Sequence, residues 1–400
     1  MAKLPLVPIL ATFSVQVCAT MTLFAVPVMA PAIALDIGVP PSLVGAYMSI
    51  AYIAATAAAL LCPAFIMRVG GIRASQTALV GIGLGLALAT VGGVPTMVAS
   101  ALILGSVYAL PIPAGAHVLA RHTPPRLYNI AFSIRQSGVP VGGLIAGAAT
   151  PALVIAFGWR PALLAFAAVP ILLAGLLIPL RRHLDVDCQP GRRLFGRSAF
   201  QPINLLMRHP LLRALGFAAI FFAGLEVAFA TYVVVTMIER VGVGYVEAGL
   251  ALSVFQAGGL VGRLAFGVIA DRFAARRGLI AGLGFGMAIA AFAAAGFGPG
   301  WPFALVLAVC FAAGLTSGGW TGVGIGEAAR LAGEGAAAVG SGAMLMAMFT
   351  GVIVCPSLFA AIVASGAGYG AAYAALAAGA ALGAVALLIP PGVRPAAEAS

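Results

Sequence analysis

Few side chains in this sequence could do acid–base chemistry inside its long apolar segments, and Glu226 stands out among them. It lies about midway along an apolar stretch near residues 211–238, far from either flanking loop. An ionised side chain at the centre of a membrane helix costs about 2.5–3.5 kcal/mol on insertion scales. Loss of water favours the neutral form of a carboxylic acid, so Glu226 is predicted to bind and release a proton. The alternative interpretation is a structural acid paired with a polar neighbour.

Arg135 is a second ionisable side chain in an apolar stretch, near residues 130–157, and Gln136 follows it directly. The guanidinium could bind a substrate carboxylate or the carboxylate of Glu226. It could equally extend to the membrane interface, or pair with Asp271 at the end of a later stretch. The pattern leaves these interpretations open, and both Arg135 and Gln136 are predicted substrate-binding residues.

Polar and aromatic residues at similar depth predict a modestly polar internal site. Thr12, Gln16 and Thr20 recur every four residues, which places them on one helix face, expected toward a central pore. Only one acid and few bases lie at this depth, which argues against highly charged substrates such as sugar phosphates. The predicted substrate-binding residues besides Arg135 and Gln136 are Gln16, Tyr108, Tyr232, Gln256 and Trp320.

The residue types that catalysis or metal binding needs are sparse and scattered. The five cysteines include no C-x-x-C pair and the four histidines form no H-E-x-x-H motif, so neither a disulfide framework nor a zinc site is predicted. No G-x-x-x-x-G-K-[ST] phosphate loop is present, which argues against direct use of ATP. We expect no catalytic residue, no metal and no cofactor, because an enzyme needs clustered acids, bases or nucleophiles.

Composition places most of the chain in a membrane. Of the 400 residues, 62% are hydrophobic and 8% are charged, whereas soluble domains carry about 25% charged residues. Apolar runs of about 20 residues recur from Leu6 to Ile389, and each can cross the hydrocarbon core as a helix. Membrane barrels show short alternating segments instead. The net charge of +11 comes from short basic clusters between the runs, without any motif for binding nucleic acid.

Pro, Gly and charged residues interrupt the apolar runs at positions that predict twelve spans, six on either side of a polar stretch. With both termini cytoplasmic, Arg160 and Arg240 are the basic residues expected outside, while Arg135 and Arg263 lie just inside span ends. The positive-inside rule supports this orientation. The spans are expected near 8–34, 42–67, 74–94, 97–120, 130–157 and 161–180, and near 211–238, 245–267, 278–298, 302–326, 336–364 and 367–389.

The polar stretch divides the chain into two similar halves. Residues 158–162 (GWRPA), before the sixth span, are echoed by residues 368–372 (GYGAA), before the twelfth. Two similar six-helix halves are typical of parallel-repeat membrane folds. We therefore expect an N-terminal bundle at 1–180, a cytoplasmic linker at 181–210, and a C-terminal bundle with a short cytoplasmic tail at 211–400.

The loops after the second and eighth spans also correspond, and the second copy carries a family resemblance. The segment Gly262–Arg272 (GRLAFGVIADR), followed by Arg276 and Arg277, resembles the loop signature G-x-x-x-D-R-x-G-R-R of the major facilitator superfamily. Alanines stand near the position of the usual glycine. The first-half copy retains Arg68, Gly70 and Arg73 but lacks the acid.

This resemblance implies an all-α membrane fold, with twelve transmembrane helices in two six-helix bundles related by pseudo-two-fold symmetry. It also implies that Asp271 faces the start of the fifth span, near residues 129–135, and steadies the outward-facing state. A carboxylate at a helix–loop junction can bind a neighbouring helix N-terminus and nearby arginines, and such contacts exist only while the cytoplasmic ends are together. The predicted gating residues are Gly267, Asp271, Arg272, Arg276, Arg68 and Gly70.

A second resemblance lies in the fifth span. The segment Phe132–Gly143 (FSIRQSGVPVGG) is similar to the glycine and proline pattern of this span in drug–proton antiporters, and also to glycine-rich fifth spans of small-anion carriers. Small residues let two helices approach and slide, and a proline permits a bend. The predicted hinge residues are Gly138, Pro140, Gly142 and Gly143.

Together these features predict a secondary active transporter that moves a small organic solute by rocking two bundles. A small organic acid is the favoured substrate, carried with protons through Glu226. A drug-type proton antiporter that exports amphipathic compounds is the alternative, and a membrane sensor that binds without transport is a more remote one. We expect a monomer in a bacterial inner membrane, with substrate, protons and the lipid bilayer as its partners and no nucleic acid.

Overall fold

The chain is all-helical over the residues described by the structure, a computed structural model. These are residues 5–59, 61–124, 127–185, 188, 201–272, 276–332 and 337–389, without the side chains of 128–130, 201–204, 271–272, 329 and 337–339. The helices of the first half are α1 (Leu6–Ile37), α2 (Val44–Ala59), α3 (Cys62–Val69), α4 (Gly71–Ala89), α5 (Val94–Tyr108), α6 (Pro111–His122), α7 (Tyr128–Gln136), α8 (Gly138–Phe157) and α9 (Trp159–Leu176). Those that follow are α10 (Arg181–Leu184), α11 (Gln201–Arg208), α12 (Pro210–Thr236), α13 (Tyr245–Arg272), α14 (Arg276–Ala295), α15 (Phe303–Leu331), α16 (Ala337–Ile362) and α17 (Gly368–Leu388).

Eleven segments of the described chain are long and apolar enough to cross a membrane. The last of them, Gly340–Leu388, contains 49 residues, which is more than twice the length that one crossing needs. It is divided by a π-helical turn at Val363–Ala367, where Gly366 has a φ of 87°. This left-handed conformation is accessible to glycine at little cost, and it separates α16 from α17.

Prolines divide three of the apolar segments into pairs of helices. Pro63 and Pro111 lie in the first turns of α3 and α6, and Pro140 is the third residue of α8. Proline has no backbone N–H, so it fits the first turn of a helix and interrupts a longer one. The predicted spans 42–67, 97–120 and 130–157 are therefore α2–α3, α5–α6 and α7–α8.

The two halves of the chain have the same internal packing. In the first half, α1 packs on α8, α2 on α5, and α4 on α9. In the second half, α12 packs on α16, α13 on α15, and α14 on α17. These are equivalent pairs when the apolar segments are numbered within each half. The structure therefore contains two related helical bundles.

The bundles meet along three helix pairs, α8 with α13, α2 with α16, and α1 with α12. We call the end of the molecule that carries Asp185 and His209 the linker end, and the opposite end, with the α1–α2 turn, the far end. Ser49 in α2 donates a 2.9 Å hydrogen bond to the Ile353 carbonyl of α16, and Tyr245 donates one of 2.6 Å to the Val28 carbonyl of α1. These contacts hold the bundles together at the far end.

Candidate functional site

Glu226 lies near the middle of α12 and faces the seam between the bundles. Its Oε1 is 3.5 Å from the Arg263 guanidinium of α13, and its Oε2 is 3.5 Å from the Thr321 hydroxyl of α15. The Trp320 indole nitrogen is near the carboxylate but does not have hydrogen-bond geometry. The side chains of Glu226 and Arg263 are 22% and 17% exposed, so neither is fully buried.

Arg263 joins the two bundles through a carbonyl that proline leaves free. Its Nη1 donates a 3.5 Å hydrogen bond to the Gln136 carbonyl, which a residue at position 140 would normally satisfy within a continuous helix. Pro140 has no N–H to donate, so the carbonyl is open to the guanidinium. The Arg263 Nε is buried and has no hydrogen-bond partner. This cation is held by two long contacts, which use two of its five N–H groups among the described residues.

Arg263 was not among the predicted site residues, because in the sequence it lies just inside the end of a span. The sequence feature that could have identified Arg263 is its depth in the predicted membrane span. Arg263 precedes Ala270, the end of the apolar segment, by about two helical turns, or about 10 Å. Its pairing with Glu226 depends on how α12 and α13 are rotated about their axes. That rotation is a tertiary property.

Arg135 is fully buried, in contrast to an arginine that extends to the interface. Its Nη2 donates a 2.6 Å hydrogen bond to the Gln136 side-chain oxygen, and its Nη1 is 3.4 Å from the Gln16 side-chain oxygen. The guanidinium also reaches the carbonyls of Pro111 and Ile112 at the start of α6. Arg135 therefore links α1, α6 and α7, and the ion-pair partner of Glu226 is Arg263.

Thr12, Gln16 and Thr20 of α1 were expected to line an open pore. In the structure they pack inside the first bundle. Glycines make this possible because they let α6 and α8 approach α1 closely. A Cβ atom at Gly138 would be 3.1 Å from the Gln16 side chain, and one at Gly142 would be 3.0 Å from Thr20. Thr12, Gln16 and Thr20 are all buried, and Gln16 still contributes to the site through Arg135.

The remaining predicted substrate-binding residues fall into two groups. Tyr108 lies at the end of α5, where its ring makes an edge contact with the Tyr52 ring of α2. Gln256 packs on Gly143 across the seam between α13 and α8. Tyr232 lies apart from them at the far end, where its single O–H is shared between the carbonyls of Ser42 and Pro356, each 3.0 Å away.

The predicted hinge residues form two packing faces of α8. Gly138 and Gly142 pack against the backbone of α1, while Gly143 packs against Gln256 of α13. A further contact between α8 and α13 involves the next residue, where the Ser253 hydroxyl donates a 3.1 Å hydrogen bond to the Leu144 carbonyl. The helix α8 is therefore in contact with α1 of its own bundle and α13 of the other, and Pro140 lies in its first turn, beside the Arg263 contact.

The structure describes only part of the predicted gate. The side chains of Asp271 and Arg272 lie outside the described residues. Gly267 has open space around it, Arg276 is half-buried at the start of α14, and Arg68 is exposed at the end of α3. The contact expected between Asp271 and the fifth span stays a prediction.

The first-half loop is bound by an acid from a distant part of the chain. Asp185, after α10, accepts hydrogen bonds from the backbone N–H groups of Ile72 (2.7 Å) and Arg73 (2.9 Å) at the start of α4. Gly70, with a φ of 98°, lies against this carboxylate. A carboxylate at a helix N-terminus satisfies free N–H groups and the helix dipole. Sequence reasoning missed Asp185, because it is separated from Gly70 by more than 100 residues.

Comparisons with known proteins agree with this architecture. The sequence profile described as Major Facilitator Superfamily matches residues 12–349. No curated protein sequence is significantly similar to the chain. Among solved structures, a bacterial homologue of the human lysosomal transporter Spinster, in an inward-facing and occupied conformation, has a TM-score of 0.70 at 15% identity, with coverage of 97% of this chain and 96% of its own.

Two transporters of the POT family are also similar in fold. One, in complex with 5-aminolevulinic acid, has a TM-score of 0.74 at 13% identity, and 95% of each chain is covered. The other, a variant peptide transporter in complex with sulfate, has a TM-score of 0.77 at 15% identity, with coverage of 95% of this chain and 93% of that one. The profile match extends over most of the sequence, and the structural neighbours share the two-bundle fold. The chain belongs to the Major Facilitator Superfamily and is a multi-pass membrane transporter.

Proposed function

We propose that this protein is a proton-coupled secondary transporter of a small organic acid. The observation that carries the proposal is the Arg263 guanidinium, which lies between the two bundles with only long contacts to Glu226 and the Gln136 carbonyl. A cation inside a membrane protein is costly unless it is paired or has a functional role. A substrate carboxylate would complete the hydrogen bonds that Arg263 lacks, because arginine donates to carboxylates through two parallel N–H groups.

Charge balance favours a substrate with one negative charge. Arg263 pairs with ionised Glu226 in the empty site, and once Glu226 binds a proton the guanidinium is left with a charge of +1. A monocarboxylate neutralises this charge, whereas a sugar phosphate brings more negative charge than the site can balance. The aromatic edges of Tyr52 and Tyr108 provide an apolar surface for the organic part of the substrate.

Proton coupling follows from competition for Arg263. A substrate carboxylate that binds Arg263 displaces Glu226, and the displaced carboxylate then loses its ionic partner in a buried setting. Desolvation without a partner favours the protonated form. Substrate and proton would therefore bind together and be released together, which is the requirement for symport.

We further propose that the chain crosses a bacterial inner membrane twelve times, as a monomer with the linker end in the cytoplasm. Separate helices α16 and α17 supply the eleventh and twelfth crossings. The positions of Arg160 at the start of α9 and Arg240 in the turn directly after α12 agree with an external far end. With the far end closed, this structure would be the inward-facing state. Asp271 would engage the fifth span when the linker end closes.

Flux across sealed vesicles tests the function. Purified protein in proteoliposomes, with an inward proton gradient, is expected to accumulate at least one of the radiolabelled monocarboxylates lactate and benzoate, and to ignore the neutral lactamide. Arg263→Gln should abolish this uptake, while Arg73→Gln, at an exposed arginine on α4, should retain it. Extrusion of tetraphenylphosphonium driven by the same gradient would instead identify a drug-type antiporter. Binding of a carboxylate without any flux would identify a sensor.

A further inference from the structure

An apolar groove lies at the far end of the first bundle, away from the proposed substrate site. It has a volume of about 190 Å³ and is lined by the last turns of α1, the turn that follows, and the first turns of α2 and α5. Its floor includes the buried side chains of Ala30, Ile33 and Met97. The hydroxyl of Tyr47, another lining residue, is already bonded to Ser100 at 3.1 Å. The groove therefore has little to offer a polar ligand.

The groove opens onto a surface that is itself apolar. Its rim is formed by Leu43, Val94 and Val98, which are 45%, 51% and 37% exposed. The exposed apolar surface continues along α2 and α5 with Ile53 and Leu102. All three lining helices belong to segments that can span a membrane. A surface of this kind on a membrane helix is in contact with lipid chains.

A guanidinium lies beside the same rim. A Cβ atom at Gly92 would be 3.0 Å from the Arg160 Nη2 and 3.8 Å from Ile37, one of the groove residues. Arg160 stacks on the Trp159 ring at 4.5 Å and forms a 2.7 Å ion pair with Asp36. It also donates to the Thr90 carbonyl. These bonds use three of its five N–H groups, so two remain for a phosphate.

We propose that this groove binds one acyl chain of an anionic phospholipid, with the lipid phosphate at Arg160. An apolar cavity of about 150 Å³ can hold a molecule the size of benzene, so the observed volume fits a segment of an acyl chain. An arginine near the end of a span extends to the membrane interface at the headgroup level, and the Arg160 side chain is 45% exposed. The bilayer supplies the occupant at this depth. The site is separate from the Arg263 cluster and does not depend on the proposed substrate.

Lipid retention by the purified protein tests the proposal. Native mass spectrometry after exchange into detergent with a mixture of phosphatidylglycerol and phosphatidylcholine is expected to show one bound phosphatidylglycerol. Ala46→Phe fills the groove from α2 and should lower this occupancy at least tenfold. Ala57→Phe is the matched control, because Ala57 is exposed on the same helix outside the groove, and it should retain the lipid.

Arg160→Gln tests the headgroup contact without altering the groove. It should remove the preference for phosphatidylglycerol over phosphatidylcholine, expected to be about tenfold, and leave acyl-chain binding in place. Equal retention of lipid by Ala46→Phe and Ala57→Phe would overturn the proposal. So would an Ala46→Phe protein that keeps its lipid but loses solute flux, since the groove would then belong to the transport path.

Discussion

Replacing Glu226 by glutamine is expected to tighten the binding of a carboxylate and to abolish its proton-driven accumulation. In the structure, Arg263 contacts Glu226 and the Gln136 carbonyl at 3.5 Å each. A substrate carboxylate must displace Glu226 from the guanidinium, so the internal ion pair opposes binding. Glutamine has nearly the same shape without the charge. It removes both the competitor and the proton-binding group.

The expected magnitude follows from the geometry of the pair. Hydrogen bonds to charged groups contribute about 1.5–3 kcal/mol when they have the normal length of about 2.7–2.9 Å. The separation here is 3.5 Å, and the two side chains are 17% and 22% exposed. The energy of the Glu226–Arg263 pair is therefore expected at or just below the lower limit of this range. A contribution of about 1.4 kcal/mol corresponds to a dissociation constant about tenfold lower in Glu226→Gln.

The assay is carboxylate binding followed through intrinsic fluorescence, since Trp320 lies beside Glu226. Lactate or benzoate is titrated into the wild-type and variant proteins, and proteoliposomes are then tested for gradient-driven uptake and for exchange without a gradient. The variant should retain exchange and lose accumulation. Thr321→Val is the matched control, because it removes the neutral partner of Glu226 and should change affinity less than threefold. Unchanged or weaker binding in Glu226→Gln would refute the competition, and persistent accumulation would refute the proton-carrier role.

Three further perturbations address the elements around the site. Asp185→Ala leaves the Ile72 and Arg73 N–H groups without their acceptor, and it should lower the free energy of unfolding in dodecyl sulfate by about 2 kcal/mol. Asp36→Ala, at an exposed ion pair, is the control. An equal or smaller loss of stability in Asp185→Ala would contradict the capping role. Tyr245→Phe removes the 2.6 Å hydrogen bond to Val28, worth about 1 kcal/mol, and should raise maleimide labelling of Val28→Cys from the far side about fivefold. Tyr47→Phe, whose partner lies in its own bundle, should leave this labelling unchanged. Equal labelling in both variants would exclude a role of Tyr245 in closing the far end. Pro140→Ala supplies an N–H to the Gln136 carbonyl in place of Arg263, and it should slow transport at least fivefold while substrate affinity changes less than threefold. Pro170→Ala in α9 is the control and should leave the transport rate unchanged. Equal transport rates in the two variants would argue against a hinge at Pro140.

The buried acid of the site could be predicted from the sequence, but its ionic partner could not. The isolated acid in the seventh apolar segment was recognisable, because the cost of burying a charge depends on local composition and depth. The partner of that acid was not, since Arg263 and Arg135 both lie inside span ends and only the rotation of α13 against α12 selects Arg263. The role of Pro140 was similarly incomplete: the bend was predictable, but the contact between the freed Gln136 carbonyl and Arg263 was not.

The sequence by itself determined that the chain is helical, apolar and organised in two related halves. Membrane insertion and helix formation are local, since each apolar segment satisfies its own backbone hydrogen bonds and transfers its own side chains into lipid. The tertiary structure alone decided three things: that Arg263 meets Glu226, that Asp185 caps α4 across more than 100 residues, and that the bundles are closed at the far end. Each depends on how separate helices rotate and rock against one another. Those contacts differ by only a few kcal/mol between alternative arrangements, and no local pattern of residues encodes them.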